Sequence, residues 1–155
     1  MITDKLDTFS DAQSLVGTLG NYLADKSKDL WSGLAALPTD TLVNMTLRDP
    51  GRGTDVEVVG TVTTSFASSG STGTVQMQLV MADDENLSTN LVVLASSPAA
   101  IIPVAGHMYK LAIPPNATKR FLGVRWVTAV QDASAGKVSA FLVPCDGSGD
   151  AVVSA

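Results

Sequence analysis

Along most of this chain apolar and polar residues alternate with the two-residue period of a half-buried strand. In Thr74-Val75-Gln76-Met77-Gln78-Leu79-Val80-Met81 the residues Val75, Met77, Leu79 and Met81 share one face. Gln76 and Gln78 take the other, toward solvent or a partner. In Phe121-Leu122-Gly123-Val124-Arg125-Trp126-Val127 the core face is Leu122, Val124 and Trp126, which leaves Arg125 outside. Runs of this kind, rich in β-branched residues, predict strands at 41–48, 55–66, 74–81, 91–95, 107–113, 121–130 and 137–143. Between them lie turn-forming clusters: Asp49-Pro50-Gly51, Ser68-Ser69-Gly70-Ser71-Thr72-Gly73, Asp83-Asp84-Glu85-Asn86, Ser97-Pro98, Pro114-Pro115-Asn116 and Ala133-Ser134-Ala135-Gly136. Seven short strands at this spacing predict an all-β antiparallel sandwich or barrel.

The first 40 residues lack this order. Gly17 and Gly20 argue against a continuous helix, and neither period is sustained, so residues 1–23 are expected to form an extended arm. Around Asp25–Trp31 a short helical turn is expected, capped by Asp25 or Ser27 and stopped by Pro38. The expected organisation is an arm with a short irregular or helical segment over 1–40, a body over 41–145 and a C-terminal tail over 146–155. Leu6, Phe9, Leu15, Val16, Leu19, Tyr22 and Leu23 are too many apolar groups for an arm left in water. They are expected to order on a partner by adding a strand to an exposed edge, with Leu6, Phe9, Leu15, Val16, Leu19 and Tyr22 as the contacts.

Composition sharpens this picture. Of the 155 residues 45% are hydrophobic and only 16% charged, against about 25% charged in an ordinary soluble domain. Fourteen of the 25 charged residues lie at or before Glu57, and 58–82 carries none. A body so poor in charge is expected to have part of its surface covered, by copies of itself or by a larger assembly. The net charge of −5 and the absence of any basic cluster argue against nucleic acid and anionic membranes. The uncharged stretch between Glu85 and Lys110 is broken by Asn86, Ser88, Asn90, Pro98 and Pro103 and does not read as a spanning helix. The N-terminus has no basic and apolar leader, so folding in the cytoplasm is expected.

Candidate chemistry is sparse. With one His and one Cys the chain has too few ligands for a structural zinc site and no disulfide framework. His107 opens a strand with no evident partner, and Cys145 near the C-terminus has no second His to activate it. The Gly136-Lys137 pair has Gln131 and Val138 where a phosphate loop needs Gly and Ser or Thr. Gly147-Ser148-Gly149 falls in the tail rather than at a nucleophile elbow. Asp83-Asp84-Glu85-Asn86 lacks the spacing of a calcium loop and reads as an exposed turn. No cofactor, no metal and no enzymatic activity are expected.

Several segments, in collinear order, resemble a known family: Phe9-Ser10-Asp11-Ala12-Gln13, Thr64-Ser65-Phe66 with the Gly/Ser turn and Thr74 to Leu79, the Asp83-Asp84 hairpin, Arg120-Phe121-Leu122-Gly123-Val124, and Ala135-Gly136-Lys137-Val138-Ser139-Ala140. Together they resemble the capsid cement, or decoration, proteins of short-tailed bacteriophages. The resemblance implies a jelly-roll sandwich on the outer surface of an icosahedral head, clamping neighbouring copies of the phage major capsid protein, with no enzymatic activity and no cofactor. The segment 22–40 is longer and more charged than that pattern. A symmetric homo-oligomer is also expected, a dimer ahead of a trimer, because sandwich edges need cover. The alternative is a tail- or fibre-associated β-sandwich or a carbohydrate-binding module, though Trp31, Trp126, Tyr22 and Tyr109 are few aromatics for sugar stacking.

Overall fold

A computed structural model describes residues 8–30, 56–114 and 119–144. Among these residues there are ten strands: β1 (Thr8–Ser14), β2 (Gly20–Leu23), β3 (Lys28–Asp29), β4 (Val56–Ser68), β5 (Thr74–Ala82), β6 (Val92–Ser96), β7 (Ala100–Ile101), β8 (Met108–Ala112), β9 (Phe121–Ala129) and β10 (Ala133–Pro144). The strand expected at 41–48, the boundary at residue 40, Leu6, Cys145 and the tail from 146 lie outside the described residues.

The strands form two antiparallel sheets, ordered β1-β10-β4-β8 and β2-β9-β5-β6, with the short β3 on β9 and β7 on β5. Without those two short strands the pairing is nested: β1 with β10, β2 with β9, β4 with β8, and β5 with β6. A long antiparallel hairpin has been rolled so that β10 also meets β4 and β9 also meets β5. This is the jelly roll, the double-sheet solution in which every long strand has partners drawn from distant sequence.

The alternation read from the sequence sets the core. Leu122, Val124 and Trp126 of β9 and Val75, Met77 and Leu79 of β5 are fully or almost fully buried between the sheets. They meet Val58 and Val62 of β4, Tyr109 and Leu111 of β8, and Val138 and Ala140 of β10. Trp126 packs edge-on against Tyr109, with ring centroids 5.5 Å apart. Its indole reaches so close to β4 that a Cβ at Gly60 would stand 2.6 Å from Trp126 Cη2. Tyr109 Oη donates to the Val75 carbonyl at 3.1 Å across the sandwich, and burial pushes its pKa up.

Two N-terminal expectations are corrected. The segment is extended, as expected, but β1 and β2 pair with this chain's own body, one in each sheet. Phe9 and Leu15 are fully buried in the core, and Tyr22 and Leu23 are half-buried. The apolar groups assigned to a partner are thus largely spent on closing the sandwich. The helical turn at Asp25–Trp31 is replaced, over its described part, by β3: Lys28 and Asp29 pair with Leu122 and Phe121, and Leu30 N donates to the Arg120 carbonyl at 2.9 Å. Ser27 Oγ donates to the Glu85 carbonyl rather than capping a helix. Ladder bonds to β9 outweigh a local preference worth only tenths of a kcal/mol per residue.

Candidate interaction surface

Rolling the hairpin brings the connections β1–β2, β4–β5, β7–β8 and β9–β10 to one end. Gly17 and Ala133 exchange backbone hydrogen bonds at 3.1 Å, and Leu19 N donates to Asp132 Oδ1 at 2.9 Å. Ser68 Oγ donates to Gln131 Oε1 at 3.2 Å, tying β4–β5 to β9–β10. Ile102 N donates to the Gly73 carbonyl and Phe66 N to the Pro103 carbonyl, both at 2.9 Å.

These bonds order the loops while their large apolar side chains stay outside. Val16 is 51% exposed, Leu19 45%, Ile101 67%, Val104 65% and Val130 61%. Leu15 takes the inward position, so Val16 next to it has nowhere to go but out. Val104 sits at the tip of a tight turn closed by His107 N on its own carbonyl at 3.0 Å. Val130 at φ +75° and Ile102 at φ +39° hold a backbone conformation that β-branched residues rarely adopt. For Val130 no core burial offsets that strain, and strain of this kind gathers at binding sites.

Ile101 joins this rim to the outer face of the second sheet, because β7 pairs with β5 at Thr74. Successive rows across that face are Ile101, Thr74 and Ala129; then Gln76, Val127 and Asn21; then Ser96, Gln78, Arg125 and Leu23. Arg125 Nε and Nη2 both donate to Gln78 Oε1, at 2.9 and 2.6 Å. Gln78 Nε2 donates to Gln76 Oε1 at 3.2 Å, and Gln76 Nε2 to the Ser97 carbonyl at 2.8 Å. Above these rows the β5–β6 loop folds back and buries Leu87 against Val80, Ala82 and Gly123, where a Cβ on Gly123 would collide with Leu87.

The opposite end is charged. Lys119 Nζ meets Asp83 Oδ1 and Arg120 Nη2 meets Asp29 Oδ2, each at 2.8 Å. Asp84 Oδ1 accepts from the backbone of Ser88 at 2.9 Å and of Thr89 at 2.6 Å, and its Oδ2 accepts from Ser88 Oγ at 2.6 Å. These hydrogen bonds hold both carboxyls below the usual aspartate range, Lys119 acting first on Asp83 and Ser88 on Asp84. The Asp83-Asp84 turn is thereby a loop clasp, and no group of three or more acidic, His or Cys residues suited to a metal occurs among the described residues. His107 is exposed, with its ring edge-on to Tyr109 at 4.8 Å.

Of the contact residues expected from the sequence, Val16 and Leu19 reach the exposed rim, whereas Phe9 and Leu15 are core and Tyr22 lies half-buried with its hydroxyl on the Thr18 carbonyl. Ile101, Val104 and Val130 are not among the contacts expected from the sequence. The signal for Ile101 and Val104 was apolar residues in a segment punctuated by Pro98, Pro103 and Gly106, whereas Val130, expected as the last residue of a strand over 121–130, falls just beyond β9. No curated protein matches the chain. The model of the Bbp16 family matches residues 34–142, which span the sandwich from β4 nearly to the end of β10, and the chain belongs to the Bbp16 family.

Proposed function

We propose that this chain is a structural virion protein that binds the outer surface of a bacteriophage head and cements neighbouring copies of the major capsid protein against the pressure of packaged DNA. The observation that carries the reading is the rim of five exposed apolar side chains at one end of the jelly roll, continuous with an almost uncharged sheet face. Apolar groups gathered on ordered loops and partly strained backbone are what a docking surface requires, and bare they would favour aggregation. The resemblance of the Phe9–Gln13, Arg120–Val124 and Ala135–Ala140 segments to cement proteins supplies the partner.

A specific interface of standard size buries about 1,600 Å² in total. Each copy that bridges two shell subunits gains from the second contact being effectively intramolecular. The reading includes a symmetric oligomer, a dimer ahead of a trimer, and assigns the protein no catalysis, cofactor, nucleic acid or membrane. The test is co-sedimentation with expanded, empty phage shells lacking the protein, together with imaging of the decorated particles. Saturable binding to the outside of the shell, lost in an Ile101→Asp, Val104→Asp double variant that still folds, is the expected result. Failure of the wild-type chain to bind such shells rejects the proposal.

A further inference from the structure

Arg125 has a place on the outer sheet face that neither folding nor local pairing explains. It stands in a row with Leu23, Gln78 and Ser96 across four strands, and the adjoining rows of Thr74, Gln76, Val127, Ala129, Asn21 and Ile101 contain no carboxylate. Among the described residues the other guanidinium, on Arg120, is paired with Asp29, and Lys119 is paired with Asp83. Arg125 instead donates twice to one neutral oxygen, Gln78 Oε1, and that glutamine is itself held by Gln76 and, through it, by the Ser97 carbonyl. A guanidinium carries five N–H donors in a fixed fork. Two are used in orienting the group, and no carboxylate among the described residues meets the rest.

We infer that Arg125 is the point at which this face receives a carboxylate of the shell protein. The inference rests on the cement reading and names the chemistry of its contact. A cation fixed by neutral acceptors has already lost its side-chain freedom, so the ordering cost of a bidentate pair is largely met before the partner arrives. The neighbouring Leu23 and Val127 would exclude water on docking, and a charge desolvated there is tolerated only when an opposite charge meets it. A second copy of this chain is the poorer occupant. Two such faces meeting about a central two-fold axis would set Arg125 against its own mate with no acidic group in the rows between them.

The experiment measures binding to cement-free expanded shells by co-sedimentation at several salt concentrations, for the wild type, Arg125→Glu, Arg125→Met, Arg125→Lys and Val104→Asp, each checked for folding by its thermal melt. Arg125→Glu is expected to bind at least tenfold more weakly, about 1.4 kcal/mol or more. Arg125→Met should lose part of the wild-type salt dependence, and Arg125→Lys should fall between wild type and Met because it keeps the charge without the fork. On shells decorated with Arg125→Lys, a zero-length carbodiimide should join the introduced amine to an Asp or Glu of the shell protein, read by mass spectrometry. Wild-type affinity in Arg125→Glu and Arg125→Met beside weakened Val104→Asp overturns the role of Arg125 and leaves the cement reading standing. A cross-link to a second copy of this chain alone also overturns it. No shell binding by the wild type overturns both. If Arg125→Glu fails to fold, Arg125→Met decides by its affinity and salt dependence.

Discussion

Replacing Phe9 by Ala asks whether the N-terminal strand is part of the core or a detachable arm. Phe9 is fully buried, with the Lys28 ammonium 5.4 Å from its ring centroid, and Leu15 at the far end of the same segment is fully buried as well. A buried Phe→Ala change costs about 3–5 kcal/mol and Leu→Ala about 2–5 kcal/mol, from lost transfer energy and the cavity left behind. In a domain of this size each kcal/mol moves the melting temperature by about 2–4 °C, so Phe9→Ala should lower it by roughly 6–20 °C. Val16, half exposed beside Leu15, is the internal control: Val16→Ala should stay within about 0.5 kcal/mol of wild type.

The assay is urea unfolding followed by tryptophan fluorescence and circular dichroism, with an unchanged slope certifying that only stability has moved. Deleting residues 1–23 would remove β1 from one sheet and β2 from the other, uncovering Val138, Ala140, Val124 and Trp126, and the remaining chain should not give a cooperative transition. A truncated protein that melts cooperatively within a few degrees of the full chain, or a Phe9→Ala variant less than 1 kcal/mol from wild type, would refute the integration of this segment.

Trp126→Ala should cost about 3–5 kcal/mol in the same assay, whereas Trp126→Phe should cost less than half as much, because Trp126 Nε1 is buried without a hydrogen-bond partner among the described residues and its removal offsets part of the lost packing. Val130→Asn, which relieves a β-branched residue of its positive φ, should stabilise the chain by about 1 kcal/mol on denaturant titration while weakening shell binding. The clasp of Asp83 and Asp84 should loosen in acid. Their native pKa values lie below the ordinary Asp value of about 4, so its stabilisation is present above pH 4 and is lost as the pH falls through the lowered values. Amide resonances of Ser88 and Thr89 followed by NMR between pH 6 and pH 2.5 should shift only in that acid range; a midpoint above pH 5 would contradict the assignment.

What was legible in the sequence was what a two-residue period can write. Val75 to Met81 and Leu122 to Trp126 fall on the faces expected of them, and the long strands lie within a few residues of their expected limits. The missed strands carry no such period. β3 and β7 have two residues each and form only because β9 and β5 offer them a ladder. β1 is interrupted by register shifts around Asp11 and Ala12, where Ala12 takes φ +48° and donates its N–H to Ser139 Oγ, so Phe9 and Leu15 reach the core without regular alternation between them. In β10, Ala133 to Gly136 reads as a turn. The strand runs through it on three irregularities, with Gly136 at φ +144° and so near the Phe66 ring that a Cβ would stand 2.9 Å from Cδ2.

The proposed interaction surface was legible as a deficit of charge and in Val16 and Leu19, but not in Ile101, Val104 or Val130, and the reason is geometric. A connection between strands in different sheets carries no period, so whether Val104 or Val130 faces inward depends on which loops the rolled hairpin brings beside it. The same rolling separates the two ends. The β3, β5–β6 and β8–β9 segments collect Asp29, Asp83, Asp84, Lys119 and Arg120 into clasps at one end, and the other end carries five exposed apolar groups beside Asp132, whose carboxylate is held by Leu19 N. A molecule so divided has a preferred orientation on any apolar partner, its clasped charges remaining in water where their hydration is kept. Exchanging those properties, with Val104→Lys and Val130→Lys on the rim, should therefore abolish docking without lowering stability, because neither side chain contributes to the core it stands outside.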